Sequence, residues 1–138
     1  MRKGVSLALA VVLTVATFAC APREEKQVAQ FDADELAQDI EALDQLRAVG
    51  SDMSKPHEID FYLYVPSEAD AKAVEAALRS LGYDVLIRAG ENEINWLCIA
   101  SRTMRPTIQE LTNARGVFKG LALRHSGAYN GWQAAIVR

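Results

Sequence analysis

Few residues in this chain could carry covalent or acid–base chemistry. The sequence holds two cysteines and two histidines. A thiol enzyme would need Cys98 as nucleophile and His125 as its base, because the thiolate is the reactive form. Cys98 lies inside Trp96-Leu97-Cys98-Ile99-Ala100, an apolar run that reads as a buried strand, where desolvation disfavours the thiolate. His125 stands at the end of a helical pattern, a position that suits an imidazole because it faces the negative end of the helix dipole. His57 sits in a loop beside Pro56, and the two histidines lack the spacing of a metal pair. Asp60, Asp70 and Asp84 fall on different elements and give no reason to pair as acid and base. No glycine-rich phosphate loop, nucleophile elbow or HExxH helix is present. The residues point away from catalysis, with neither cofactor nor metal expected, and leave a small thiol-dependent enzyme as the remote alternative.

Binding chemistry is better supplied. Tyr62, Tyr64, Trp96, Tyr129 and Trp132 offer large apolar areas with polar tips, the residue types that anchor protein interfaces. The competing account is that they pack the core and a turn. Arg88, Arg102, Arg105, Arg115 and Arg124 are spread over strands and a helix and read as scattered surface arginines. The chain has 15 basic and 18 acidic residues for a net charge of −3. A mildly acidic protein is a poor grip for phosphate backbones, so no nucleic-acid partner is expected.

The start of the chain bears on which partners it meets. Arg2 and Lys3 precede an uncharged apolar stretch from Val5 to Ala19, the pattern of a bacterial export signal. Cys20 follows Thr17-Phe18-Ala19 and resembles the lipidated cysteine of a lipoprotein box, though Thr17 stands where such boxes usually carry leucine. The expected organisation is a signal peptide over 1–19, a lipidated Cys20 with a solvated tether over 20–31, and one domain over 32–138. The domain would then stand on the periplasmic side of a membrane. Removing Arg2 and Lys3 with the signal leaves 13 basic against 18 acidic residues, or −5. Cleavage after Ala19 with a free thiol, or an uncleaved membrane helix, are the other outcomes. With Cys20 lipidated, Cys98 has no disulfide partner and packs as a small hydrophobe.

Periodicity and capping give the elements that position these residues. Leu36, Ile40, Leu43 and Leu46 recur at helical spacing, from an N-cap at Asp32 to Val49 with Gly50 beyond. Asp34, Glu35, Asp39, Glu41 and Asp44 read as its solvated face. Residues 59–65 alternate as a strand, sending Ile59, Phe61, Leu63 and Val65 one way and Asp60, Tyr62 and Tyr64 the other. Ser67 and Asp70 have the spacing of a capping box for a helix with Ala71, Val74, Leu78 and Leu81 on one face. Strands follow over 83–88 and 94–101, joined by a polar turn as an antiparallel hairpin. Thr107 and Glu110 cap a last helix running toward His125, with a bend expected at Gly116. A final strand is expected over 132–137. After the leading helix the order is βαββαβ, an α+β ferredoxin-like sandwich with one open sheet face. Whether helix 32–49 covers that face, or a partner does, is left open by the sequence.

Four segments carry a family resemblance: Gly50-Ser51-Asp52 after a helix, Tyr64-Val65-Pro66-Ser67-Glu68-Ala69-Asp70, Leu81-Gly82-Tyr83-Asp84-Val85, and His125-Ser126-Gly127-Ala128-Tyr129-Asn130-Gly131-Trp132. Together they resemble the family of regulators of ribonuclease E activity B. The closing signature of that family is Tyr-Asp-Gly-Trp; here Asn130 replaces the aspartate, which keeps the turn chemistry but removes a charge. The resemblance implies a non-catalytic domain that binds another protein, with Tyr62, Tyr64, Tyr129, Asn130, Gly131 and Trp132 as candidate contacts. Characterised regulators of the family inhibit ribonuclease E, which works on the cytoplasmic side. An export signal separates the two, so the expected role is an envelope-anchored protein-binding module, with inhibition of ribonuclease E as the alternative if the chain stays inside.

Overall fold

The computed structural model describes residues 21–91 and 94–138, with side chains from Asp32 onward. The expected signal stretch 1–19 and Cys20 lie outside the described residues. No helix among the described residues is long and apolar enough to cross a membrane. The elements are α1 (Ala21–Ala48), β1 (His57–Val65), α2 (Glu68–Ser80), β2 (Asp84–Ala89), β3 (Trp96–Met104), α3 (Ile108–Arg124) and β4 (Ala128–Ala134). The strands form one antiparallel sheet in the order β2-β3-β1-β4. That order is the ferredoxin-like arrangement, preceded by an extra helix, as the sequence predicts.

Local signals explain most boundaries. Ser67 Oγ accepts from the Asp70 amide at 3.1 Å and donates to the Asp70 carboxylate at 2.7 Å. Thr107 caps α3 by accepting from the Glu110 amide at 3.2 Å. Gly50 takes φ +88°, and the Ser51 amide reaches back to the Leu46 carbonyl while the Gly50 amide reaches Arg47; this paired C-terminal closure requires left-handed backbone. Two expectations differ from the structure. α1 begins at Ala21, so the stretch read as a solvated tether is helical; its alanine, glutamate, glutamine and lysine favour helix even without an apolar stripe. α3 runs unbroken through Gly116, since the packed face of its neighbours outweighs the propensity cost of about 1 kcal/mol.

The core lies between one sheet face and the helices. Ile59, Phe61, Leu63 and Val65 are buried from β1, Ala71, Val74 and Leu78 from α2, and Leu111, Ala114, Phe118, Leu121 and Ala122 from α3. Phe61 stacks on Phe118 at 4.8 Å between ring centroids, and Tyr83 meets both rings edge-on. Such offset and edge contacts add to the area term. α1 joins α3 on this same face. Trp132 is paired across the sheet with the inward-facing Phe61, and its indole reaches Asp39 of α1. The opposite face of the sheet is therefore left bare by the described residues, which resolves the choice the sequence left open.

A polar clasp closes the chain ends together. His57, read from sequence as a loop residue, opens β1 and is fully buried. Its Nδ1 lies 2.8 Å from the Lys55 carbonyl, which can only accept, so Nδ1 carries a proton, and Nε2 is hydrogen-bonded to the Ser51 hydroxyl at 2.6 Å. Ser51 Oγ also takes the Val137 amide at 3.0 Å, and the Asp52 amide donates to the Val137 carbonyl. The C-terminal segment is thus held against the loop after α1 by one main-chain bond and by the Ser51 and Lys55 side chains. Ser51→Ala would leave the imidazole and the Val137 amide without their partner, at a cost of about 1–3 kcal/mol. A fall of that size in urea stability, with faster amide exchange over 135–138, is the expected outcome; an unchanged midpoint would show that the clasp adds nothing.

Candidate protein-binding surface

The sheet pairings sort the candidate contacts. Across the bare face, Leu86, Ile99 and Tyr62 form one row, and Arg88, Leu97, Tyr64 and Ala128 form the next. A third row is polar, with Asp84, Ser101, Asp60 and Gln133, in which Ser101 donates to Asp60 at 2.5 Å. Tyr62 and Tyr64 are half-buried, while Leu86 is 59% exposed. A large aliphatic side chain that exposed, beside two tyrosines and Ile99, makes this face the candidate interface. Next to it Tyr64, Arg88, Gly90, Glu91, Ile94 and Leu97 line a concavity of about 720 Å³. The Arg88 side chain has no ion pair or hydrogen bond there among the described residues, which leaves its charge available to a partner.

Tyr129 and Trp132 belong to the opposite face. The sequence places Asn130-Gly131 in a turn before a strand at 132–137, but the strand starts at Ala128 and contains them. Phe61 pairs with Trp132 and Leu63 with Tyr129, so two steps along β1 match three along β4, and Tyr62 opposes both Asn130 and Gly131. The extra residue is a bulge, taken up by Gly131 at φ +92°. Without it, period two would send Tyr129 and Trp132 to opposite faces; with it, both face the helices. Tyr129 stacks on Phe118 at 5.6 Å, and burial, followed by the nearby Asp39 carboxylate, pushes its phenol up. Trp132 Nε1 donates to Asp39 at 2.9 Å. Tyr62 and Tyr64 therefore do not form one patch with Tyr129 and Trp132.

The residues that sequence reading passes over are the charges beneath Trp132. Arg115, read as surface arginine, is 8% exposed, and donates to Asp39 at 3.0 Å. Glu35 accepts from Lys119 at 2.9 Å and lies 3.7 Å from Arg115, while Asp32 accepts from Lys119 at 3.3 Å. Asp39 and Glu35 are thus interior to the α1–α3 seam rather than part of a solvated face. A signal is present in the chain: Asp32, Glu35 and Asp39 sit one turn apart beside Leu36 and Leu43, and Arg115 and Lys119 are also one turn apart.

The catalytic candidates stay apart. Cys98 is fully buried, and desolvation, with the Glu75 charge adding to it, pushes its thiol up to about 11, so the neutral form dominates at neutral pH. His125 does end α3, as expected, but its Nδ1 meets Asp70 at 3.0 Å. That contact ties the C-terminus of α3 to the N-terminus of α2, where the Asp70 carboxylate suits the helix dipole. Among the described residues no group of three or more potential metal ligands occurs.

Asp70 titration provides a check on that tie. The Ser67 hydroxyl first, and then His125, hold its carboxyl below the usual value of 3.8. A carboxylate whose pKa is lowered by folding contributes stability above its unfolded pKa, and that contribution is lost as pH falls through the folded one. Asp70→Asn should therefore lower the thermal midpoint at about pH 6.5 and make little difference near about pH 2.5. An equal loss at both values would mean the residue acts through shape rather than charge.

No match was found among curated proteins. The family model described as regulator of ribonuclease activity B matches residues 36–134, from the middle of α1 to the end of β4. The match includes both aromatic sets, the β4 bulge and most of the α1–α3 charge seam. The resemblance read from the four segments is thereby established: the chain belongs to the family of regulators of ribonuclease activity B.

Proposed function

We propose that this chain is a non-catalytic regulator whose domain binds a protein through the bare sheet face, and that it does so from a lipid anchor on the periplasmic side of a bacterial membrane. The observation that carries the binding role is the row Leu86–Ile99–Tyr62, left uncovered by α1 and flanked by the Arg88 concavity. Membership of a regulator family supports a protein rather than a small molecule as the ligand, and the acidic balance of the chain argues against RNA. The anchoring part rests on the basic start, the apolar stretch 5–19 and Cys20. Inhibition of ribonuclease E is the second reading, favoured by the family itself and requiring that the N-terminus remain in the cytoplasm.

Tyr62 and Tyr64 stand outside the core, so Tyr62→Ala with Tyr64→Ala should cost the fold no more than about 1–2 kcal/mol. The same double variant should weaken partner binding at least about tenfold, since hot-spot tyrosines are worth about 2 kcal/mol or more. Purified full-length protein and its variant, titrated against ribonuclease E with RNA cleavage as readout, test the second reading; cleavage unaffected by the native protein rejects it. Radiolabelled palmitate followed through membrane fractions tests the anchor. Label present on the native chain and lost in Cys20→Ala is the expected result, and unlabelled full-length protein in the cytosol would overturn the envelope assignment.

A further inference from the structure

α1 is held differently from the other helices. Of its residues from Asp32 on, Leu43 alone is fully buried, Leu36 and Leu46 are half-buried, and Ile40 is 44% exposed. By contrast α3 buries Leu111, Ala114, Phe118, Leu121 and Ala122. α1 meets α3 as its principal neighbour, and solvent-open grooves of about 180 and 400 Å³ flank the seam. Leu43 enters the core and Leu46 packs against it; the rest of its hold is charge, with Asp32 on Lys119, Glu35 on Lys119 and Arg115, and Asp39 on Arg115 and Trp132. Ion pairs of this kind return little net free energy once desolvation is counted.

Beneath this cover lie Trp132, Tyr129 and Arg115, the residue types that dominate protein-interface energetics. Arg115 and Lys119 sit one turn apart on α3, and the helix that already rests on them presents carboxylates at 32, 35 and 39 with Leu36 and Leu43 alongside. The surface is therefore complementary to an acidic amphipathic helix, and α1 occupies it. The loop that follows α1 is separately pinned to the C-terminal segment through Ser51, Asp52 and Val137, so the anchoring of that loop does not depend on the α1–α3 seam.

We propose that α1 is a detachable cover over a second protein-binding surface, formed by Arg115, Lys119, Tyr129 and Trp132, and that an acidic amphipathic helix of a partner takes its place there. α1 acts as a tethered competitor, whose high local concentration suppresses binding until it is released. This surface is distinct from the sheet face carrying Tyr62 and Tyr64.

The test uses the full chain, the double variant Glu35→Gln with Asp39→Asn, and a labelled synthetic peptide of residues 32–49 as the acidic helix. In the native protein, amides of 36–48 should exchange at least about tenfold faster than those of β1 and β3, and faster still in about 1 M salt. The double variant should bind the peptide at least about tenfold more tightly than the native chain, because its own cover competes less. Adding Lys119→Glu should remove that binding, whereas Tyr62→Ala should leave it unchanged, which separates this surface from the one on the sheet. Exchange over 36–48 as slow as in β1 and β3 at both salt concentrations overturns the proposal, even if the variant fails to fold. So does equal peptide affinity for native and variant chains. A dimer in which two copies have exchanged α1 would assign the surface to a second copy and equally overturn it.

Discussion

The bulge in β4 fixes where the aromatic signature of this family points. One extra residue between Tyr129 and Trp132, accommodated by the positive φ of Gly131, cancels the alternation that would otherwise divide them. Both rings then fall on the covered face: Tyr129 extends the Phe61–Phe118 stack, and Trp132 offers an indole N–H to whatever lies above it. That donor, with the Arg115 guanidinium, sets the seat of Asp39 and hence of α1. Because α1 is drawn to this side, the other face of the sheet is left uncovered by the described residues, and Tyr62, Ile99 and Leu86 lie on it.

The helices of this fold are consequently fixed by unlike forces. α2 and α3 are stitched to the sheet by apolar side chains in close contact, whose burial contributes roughly 1.5–3 kcal/mol for each large residue. α1 places one side chain, Leu43, fully in the core and is otherwise attached by carboxylates that must surrender hydration to reach Arg115 and Lys119, so its net hold is smaller. Such an asymmetry within one domain means that regions open at very different free energies, the most weakly packed first.

Capping and alternation make much of the fold legible in the sequence. Ser67 and Asp70, Thr107 and Glu110, and Gly50 each act locally, within a turn of the residues they affect, so their role can be read from spacing alone. β1 is likewise legible because its buried and half-buried residues alternate along most of its length. The bounds of β4 are not, because Asn-Gly is a turn signal in isolation, and only pairing with β1 shows that the glycine serves a bulge instead. The helical start of α1 escapes a pattern reading because helix propensity without an apolar stripe carries no tertiary cue. The role of His57 is hidden because its partner Ser51 is bonded in turn to Val137, at the far end of the chain.

By itself the sequence determined the order and type of the elements, the inward face of β1, and the family. These depend on short-range spacing and on residue chemistry, both of which the unfolded chain already carries. Tertiary structure decided which side of the sheet α1 would cover, which of the aromatic residues share a face, and that Asp39 and Arg115 meet in the interior. Those outcomes depend on contacts between residues tens of positions apart, where a single-residue shift in register reverses the face of every side chain that follows.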